Sequence, residues 1–169
     1  WFLDVPRGTS LHALGEELTS LGVLDHPYYL LALGYLRGDA SRIKAGEFEI
    51  SAGTTPPRLL DQLIAGKVVQ RAFTLVEGWT VAQALEAVTA DERLKTTLGD
   101  ATPESLMAAL GHAELDAEGR FLPDTYHFTK GASDLDLFRR AFTTMEQVLE
   151  EEWKERAEGL PLQTPYEAL

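Results

Sequence analysis

One short pattern occurs twice along this chain. Val5-Pro6-Arg7-Gly8-Thr9-Ser10-Leu11 aligns with Leu75-Val76-Glu77-Gly78-Trp79-Thr80-Val81. Both read apolar, any residue, charged, Gly, any residue, hydroxyl, apolar. Such a string leaves few local structures open. The apolar run ends a strand, Gly lets the backbone reverse, and Ser or Thr caps the helix that follows. Thr80 with Gln83 adds a capping box, in which side chain and backbone satisfy each other at the helix start. Leu14 then matches Ala84 and Leu18 matches Val88, one apolar face per helix. The recurrence reads either as a duplicated strand–turn–helix module in an α+β chain or as a unit common to any protein of that class.

The remaining elements follow from periodicity. Leu11, Leu14, Leu18 and Leu21 form one helical stripe that Gly22 stops. A second helix is expected over Pro27–Leu36, with Pro27 in its first turn. Ala45–Ser51 alternates as a strand, Thr55-Pro56 starts a helix, and Val68–Val76 is the next strand. Thr102-Pro103-Glu104 opens a further helix that Gly111 ends. Ala113–Pro123 has no helical period, and Tyr126–Phe128 reads as a brief strand. Ser133 opens the longest helix. Its face of Leu135, Phe138, Phe142, Met145, Leu149 and Trp153 should be buried, and Glu146, Glu150, Glu151, Glu152, Glu155 and Glu158 should be wet. Gly159-Leu160-Pro161 is the expected stop, and Thr164–Leu169 can begin one more helix.

Charge and composition narrow the function. The net charge of −12, from 27 acidic and 15 basic residues, opposes binding to nucleic acid or to anionic lipid. Without cysteine there are no disulfides, thiolate nucleophiles or Cys-based zinc sites. His12, His26, His112 and His127 stand at no ligand spacing, so no metal is expected. Nucleotide-loop and serine-hydrolase motifs are missing, and no cofactor is expected. No window reaches the ~18 apolar residues of a membrane span. The chain is read as part of a longer one, with any membrane anchor outside it.

What remains for chemistry is Glu118-Gly119-Arg120-Phe121-Leu122-Pro123-Asp124-Thr125-Tyr126. A carboxylate stands beside a flexible Gly, then two apolar residues, then a Pro-Asp-Thr turn. Phe121 and Leu122 place Glu118 in an expected, partly desolvated cleft. Desolvation disfavours a carboxylate anion and suits a general acid. Arg120 opposes this only if its guanidinium points at the carboxylate. A surface loop with a Pro-Asp turn is the alternative at this point.

This segment resembles the active-site motif of the YceG-like family, the endolytic murein transglycosylases called MltG. Two further segments match family motifs in the same order: Ala45-Gly46-Glu47-Phe48 before a strand, and Val76-Glu77-Gly78-Trp79-Thr80 after one. Residues 1–75 also resemble, more loosely, the LysM modules that bind N-acetylglucosamine polymers. The resemblance implies a LysM-like βααβ subdomain over 1–75. It also implies a mostly helical, mixed α/β catalytic subdomain over 76–169, which the chain leaves truncated at its C-terminus. A further acid-bearing helix of the family lies beyond Leu169.

By the same resemblance Glu118 is the catalytic acid/base. Leu122 departs from the aromatic residue often found there. Glu77, Trp79, Phe121, Asp124, Thr125 and Tyr126 are the expected substrate contacts, with Trp79 and Tyr126 candidates for sugar stacking; core packing is the other reading of both rings. The implied reaction cleaves the bond between N-acetylmuramic acid and N-acetylglucosamine without adding water and closes a 1,6-anhydro ring. Hydrolytic glycosidases generally use two carboxylates; here one serves both proton transfers. The implied partners are peptidoglycan glycan strands and peptidoglycan synthases, at the periplasmic face of the bacterial inner membrane. Two other functions fit the sequence less well. One is a non-catalytic glycan-binding module. The other is a pyridoxal-dependent lyase of the aminodeoxychorismate type, for which no Lys stands in a convincing setting.

Overall fold

The structure, a computed structural model, describes residues 1–157 and 159–169. They form two compact units, Trp1–Gln70 and Arg71–Leu169. The fold is α+β, with six α-helices and two two-stranded sheets among the described residues.

The first unit runs β1 (Phe2–Val5), α1 (Leu11–Ser20), α2 (Tyr28–Arg37), β2 (Gly46–Glu49) and α3 (Pro56–Ala65). β1 and β2 pair antiparallel, with Leu3 opposite Phe48. Both side chains are fully buried among Leu14, Leu18, Leu30, Ile50 and Leu59. α1 and α2 approach closely because Gly34 offers no side chain; a Cβ there would collide with Leu11. Leu21 differs from its expected place. It caps α1 and is 56% exposed, because the chain turns back at Gly22. Leu24 is buried instead, and its N–H and that of Val23 both reach the Leu18 carbonyl. A helical stripe read from spacing alone overshoots at such a C-terminal reversal.

The second unit holds β3 (Gln70–Thr74) from its second residue on, α4 (Val81–Thr89), α5 (Pro103–Leu110), β4 (Thr125–Thr129) and α6 (Asp134–Lys154), then a 3-10 turn at Pro165–Ala168. The units divide after Gln70, at the start of the strand that pairs with β4. The core gathers Leu85, Val88, Leu106, Met107, Phe128, Leu137, Phe138, Ala141 and Phe142. Each buried aliphatic side chain of this size contributes about 1.5–3 kcal/mol. α6 is 21 residues long and ends at Lys154, before the expected stop at Gly159. Glu146, Glu150, Glu151, Glu152 and Glu155 are exposed as expected; Glu158 lies outside the described residues.

The start of α6, capped by Ser133 as expected, is also fixed by a buried carboxylate that the sequence did not announce. Asp134 is fully buried. Its carboxylate accepts the N–H groups of Thr97, Leu98 and Leu135 at 3.0, 3.1 and 2.7 Å, and the Thr97 hydroxyl besides. Burial alone would raise its pKa, but these hydrogen bonds outweigh it and hold the carboxyl below the ordinary value.

The repeated pattern has the same geometry in both places. Gly8 and Gly78 take φ of 85° and 83°. Thr9 N–H reaches Pro6 O at 3.2 Å, and Trp79 N–H reaches Val76 O at 3.3 Å. Ser10 and Thr80 cap α1 and α4 from extended backbone, accepting from Ala13 and Gln83. Leu14, Leu18, Ala84 and Val88 are all buried.

Candidate functional site

The site grows from the second of these turns. Leu75 N–H donates to Asp124 O at 3.0 Å, which ties the end of β3 to the Pro-Asp-Thr segment. The chain then reverses at Gly78, and Thr80 starts α4 with both halves of a capping box. The first N–H groups of a helix have no partner within it, and the helix end carries partial positive charge. At α4 one of these donors is taken: Val81 N–H points to Glu118 Oε1 at 3.0 Å. A carboxylate at a helix N-terminus is favourably placed on both counts.

The Glu118 loop is braced on its own side. Glu118 N–H donates to Asp116 Oδ1 at 3.0 Å, and Arg120 N–H to Ala117 O at 3.2 Å. Gly119 takes φ of 73°, a left-handed backbone that a side chain would strain. Leu122 N–H is held by Ala141 O of α6 at 3.2 Å. Arg120 is directed away from the Glu118 carboxylate. Its Nε donates to Asp116 O at 3.2 Å, and its guanidinium lies 3.9 Å from the Tyr166 ring centre.

Glu118, Trp79, Thr80, Phe121 and Pro123 line one apolar hollow above Leu75 and Met145. Its volume is about 130 Å³, small against the roughly 300–1,000 Å³ of a closed ligand pocket. The residue is exposed, which corrects the expectation of a partly desolvated acid. Phe121 lines only one wall, its ring set at 76° to that of Phe138 with centres 5.3 Å apart, and the Leu122 backbone is taken up by α6. Trp79 is 38% exposed, with its ring available at the hollow.

Glu77, Asp124 and Thr125 line a neighbouring groove with Thr74 and Leu122. Asp124 Oδ1 accepts Thr125 N–H at 2.6 Å, and the Thr125 and Thr74 hydroxyls lie 2.8 Å apart. Tyr126 is not at the surface. Its ring is in the core, 7% exposed, and its hydroxyl donates to Leu122 O at 2.7 Å. That corrects its expected role in sugar stacking: Tyr126 closes the turn from below. Burial, with the charge of Asp124, pushes its phenol up to about 12. The alternation was readable in advance, since Tyr126 and Phe128 share one face of β4 and His127 takes the other.

Two residues with a part in this arrangement gave no signal in the sequence. Val81 contributes only its backbone, and Tyr166 reaches the loop from far along the chain, donating to Glu118 O at 2.6 Å. Among the described residues no cluster of three His, Asp or Glu side chains suits a metal ion. No helix among them is long and apolar enough to cross a membrane.

No curated protein matches the chain. The crystal structure of a protein described as yceG-like, from Listeria monocytogenes, matches at 20% identity and a TM-score of 0.40. The match covers 92% of this chain and 57% of that one, so this chain spans little more than half of its length. The model of the YceG-like family matches residues 3–169, nearly the whole sequence. The chain belongs to the YceG-like family.

Proposed function

We propose that this chain is part of an endolytic peptidoglycan lytic transglycosylase, a carbon–oxygen lyase in which Glu118 is first the general acid and then the base. The observation that carries the reading is the meeting of the two Glu-Gly segments: Glu118 Oε1 on the Val81 N–H, just after Glu77-Gly78-Trp79-Thr80. It puts one carboxylate at a positive helix end, beside an available indole ring and an apolar wall.

The chemistry is as follows. Protonated Glu118 gives its proton to the oxygen between N-acetylmuramic acid and N-acetylglucosamine, and that bond breaks to an oxocarbenium-like state. The carboxylate left behind removes the proton of the muramic acid 6-hydroxyl. The 6-oxygen closes on the anomeric carbon, giving the 1,6-anhydro end, and Glu118 is protonated again. No water is consumed. Between the steps the anion rests on the Val81 N–H. Trp79 and Phe121 offer apolar faces to sugar rings, and Glu77, Asp124 and Thr125 offer oxygens to their hydroxyls. Cleavage within strands would end nascent glycans and shape the cell wall. It would take place at the periplasmic face of the inner membrane, beside peptidoglycan synthases.

Glu118→Gln in the full-length protein tests this. The amide keeps the size and the contact to Val81, so the fold should stand. Acid/base assistance is worth about 10²–10⁴-fold, and mass spectrometry of digested murein should show anhydro ends falling by that order. Equal anhydro product from the variant sinks the assignment. Retention on insoluble peptidoglycan with no cleavage by the wild type would favour a binding module instead.

A further inference from the structure

We propose that Tyr166 is a positioning residue for Glu118; this rests on the reading of Glu118 as the acid/base. Besides the bond of its N–H to Asp116, Glu118 is held at two further points. Its side chain is held by Val81 at the start of α4. Its backbone carbonyl is held by the Tyr166 hydroxyl at 2.6 Å. That carbonyl belongs to the peptide joining Glu118 to Gly119, and Gly119 is the residue across which this peptide can turn most freely.

Three contacts from one short segment converge on three consecutive residues. Tyr166 takes the Glu118 carbonyl. A Cβ on Gly119 would lie 3.4 Å from Leu169 and 3.7 Å from the Tyr166 ring, so this segment lies directly against the glycine. The Arg120 guanidinium lies over the Tyr166 ring at 3.9 Å, a cation–π contact. The 3-10 turn that presents the ring is braced by Gln163 N–H on Glu167 Oε2 at 2.7 Å. The Tyr166 hydrogen bond goes to the Glu118 backbone carbonyl and not to its carboxylate, so it acts through the loop. Its contribution is to keep an exposed acid in one orientation while the glycan arrives, and misplacement by about 1 Å can cost roughly 10²-fold in rate.

The test compares wild type, Tyr166→Phe and Tyr166→Leu in the full-length protein acting on soluble glycan strands. Phe keeps the ring and the Arg120 contact and loses only the hydrogen bond; Leu loses both. A graded fall in kcat is expected, about 3–10-fold for Phe and roughly 30–100-fold for Leu, with KM unchanged. Amide exchange across residues 117–121 should rise in the same order, while thermal midpoints stay together. Wild-type activity with unimpaired kcat in both variants overturns the Tyr166 assignment alone. So does a loss that vanishes once activity is normalised to folded protein. A wild type that makes no anhydro ends sinks the reading of Glu118 and the positioning role with it.

Discussion

Glu118 Oε1 and the Val81 N–H meet at 3.0 Å, although 37 residues separate them in sequence. The bond joins the loop that carries the proposed acid to the helix that follows the Glu-Gly-Trp-Thr turn. The integrity of one is therefore a condition for the geometry of the other.

Thr80→Ala tests that dependence. The variant loses the hydroxyl that accepts Gln83 N–H and with it half of the capping box. Loss of such a cap costs about 1 kcal/mol, measurable as a lower urea midpoint at constant m-value. Anhydro-forming activity per folded molecule should fall as well, because the first turn of α4 frays where it holds Glu118. A stability loss with undiminished activity would show that the helix start does not set the acid.

Trp79→Ala separates substrate contact from fold. The ring is partly exposed at the hollow, so the cost in stability should stay near 1 kcal/mol. An aromatic contact with a sugar is worth about 1 kcal/mol, or roughly fivefold in affinity. KM on soluble glycan strands should rise by that factor and kcat change less. An unchanged KM would return Trp79 to a packing role.

Asp134 predicts the acid limb of stability. Its folded pKa lies below the unfolded value of about 3.9, through hydrogen bonds that outweigh burial. Its stabilising contribution is therefore full above the unfolded value and is lost as pH falls through the folded one. Asp134→Asn replaces an acceptor facing several N–H donors with a group that is itself half donor. The expected cost near pH 7 is about 2–3 kcal/mol. Urea midpoints from about pH 2 to pH 7 should show a flatter acid limb in the variant.

Tyr126 governs the other end of the scale. Its folded pKa is raised to about 12, above the unfolded value of about 10. The stability linked to its proton is present below the unfolded value and is lost as pH rises through the folded one. Tyr126→Phe keeps the packed ring and frees the Leu122 carbonyl, costing about 1 kcal/mol. Phenolate absorbance should lose its most alkaline component in the variant; an unchanged titration curve would place another tyrosine there.

Much of the fold was legible because it is local. Ser10, Thr80, Thr102 and Ser133 all cap helices where the sequence marked starts. The apolar spacing of Phe138, Phe142 and Met145 marked the buried face of α6. Leu21 was misplaced because periodicity does not show where a helix lets go. Tyr126 carried two readings, sugar stacking and core packing, and its two-residue period with Phe128 points to the second, where the ring lies. The candidate site was legible as residue types in Glu118 and Trp79. It was not legible as an arrangement, since a backbone donor such as Val81 N–H carries no side-chain signature. The same holds for Tyr166, which touches the loop only through tertiary structure.

The twin turns at Gly8 and Gly78 give this chain a built-in calibration. Both glycines sit at nearly the same left-handed φ, and an added Cβ would meet nothing within 4 Å at either. An alanine at either position thus imposes one and the same local penalty, about 1 kcal/mol or somewhat more. Any inequality between the two measured costs then reports on how far the segments flanking each turn can relax. It would show which of the two turns is held the more rigidly by its neighbours, read from two single-methyl changes.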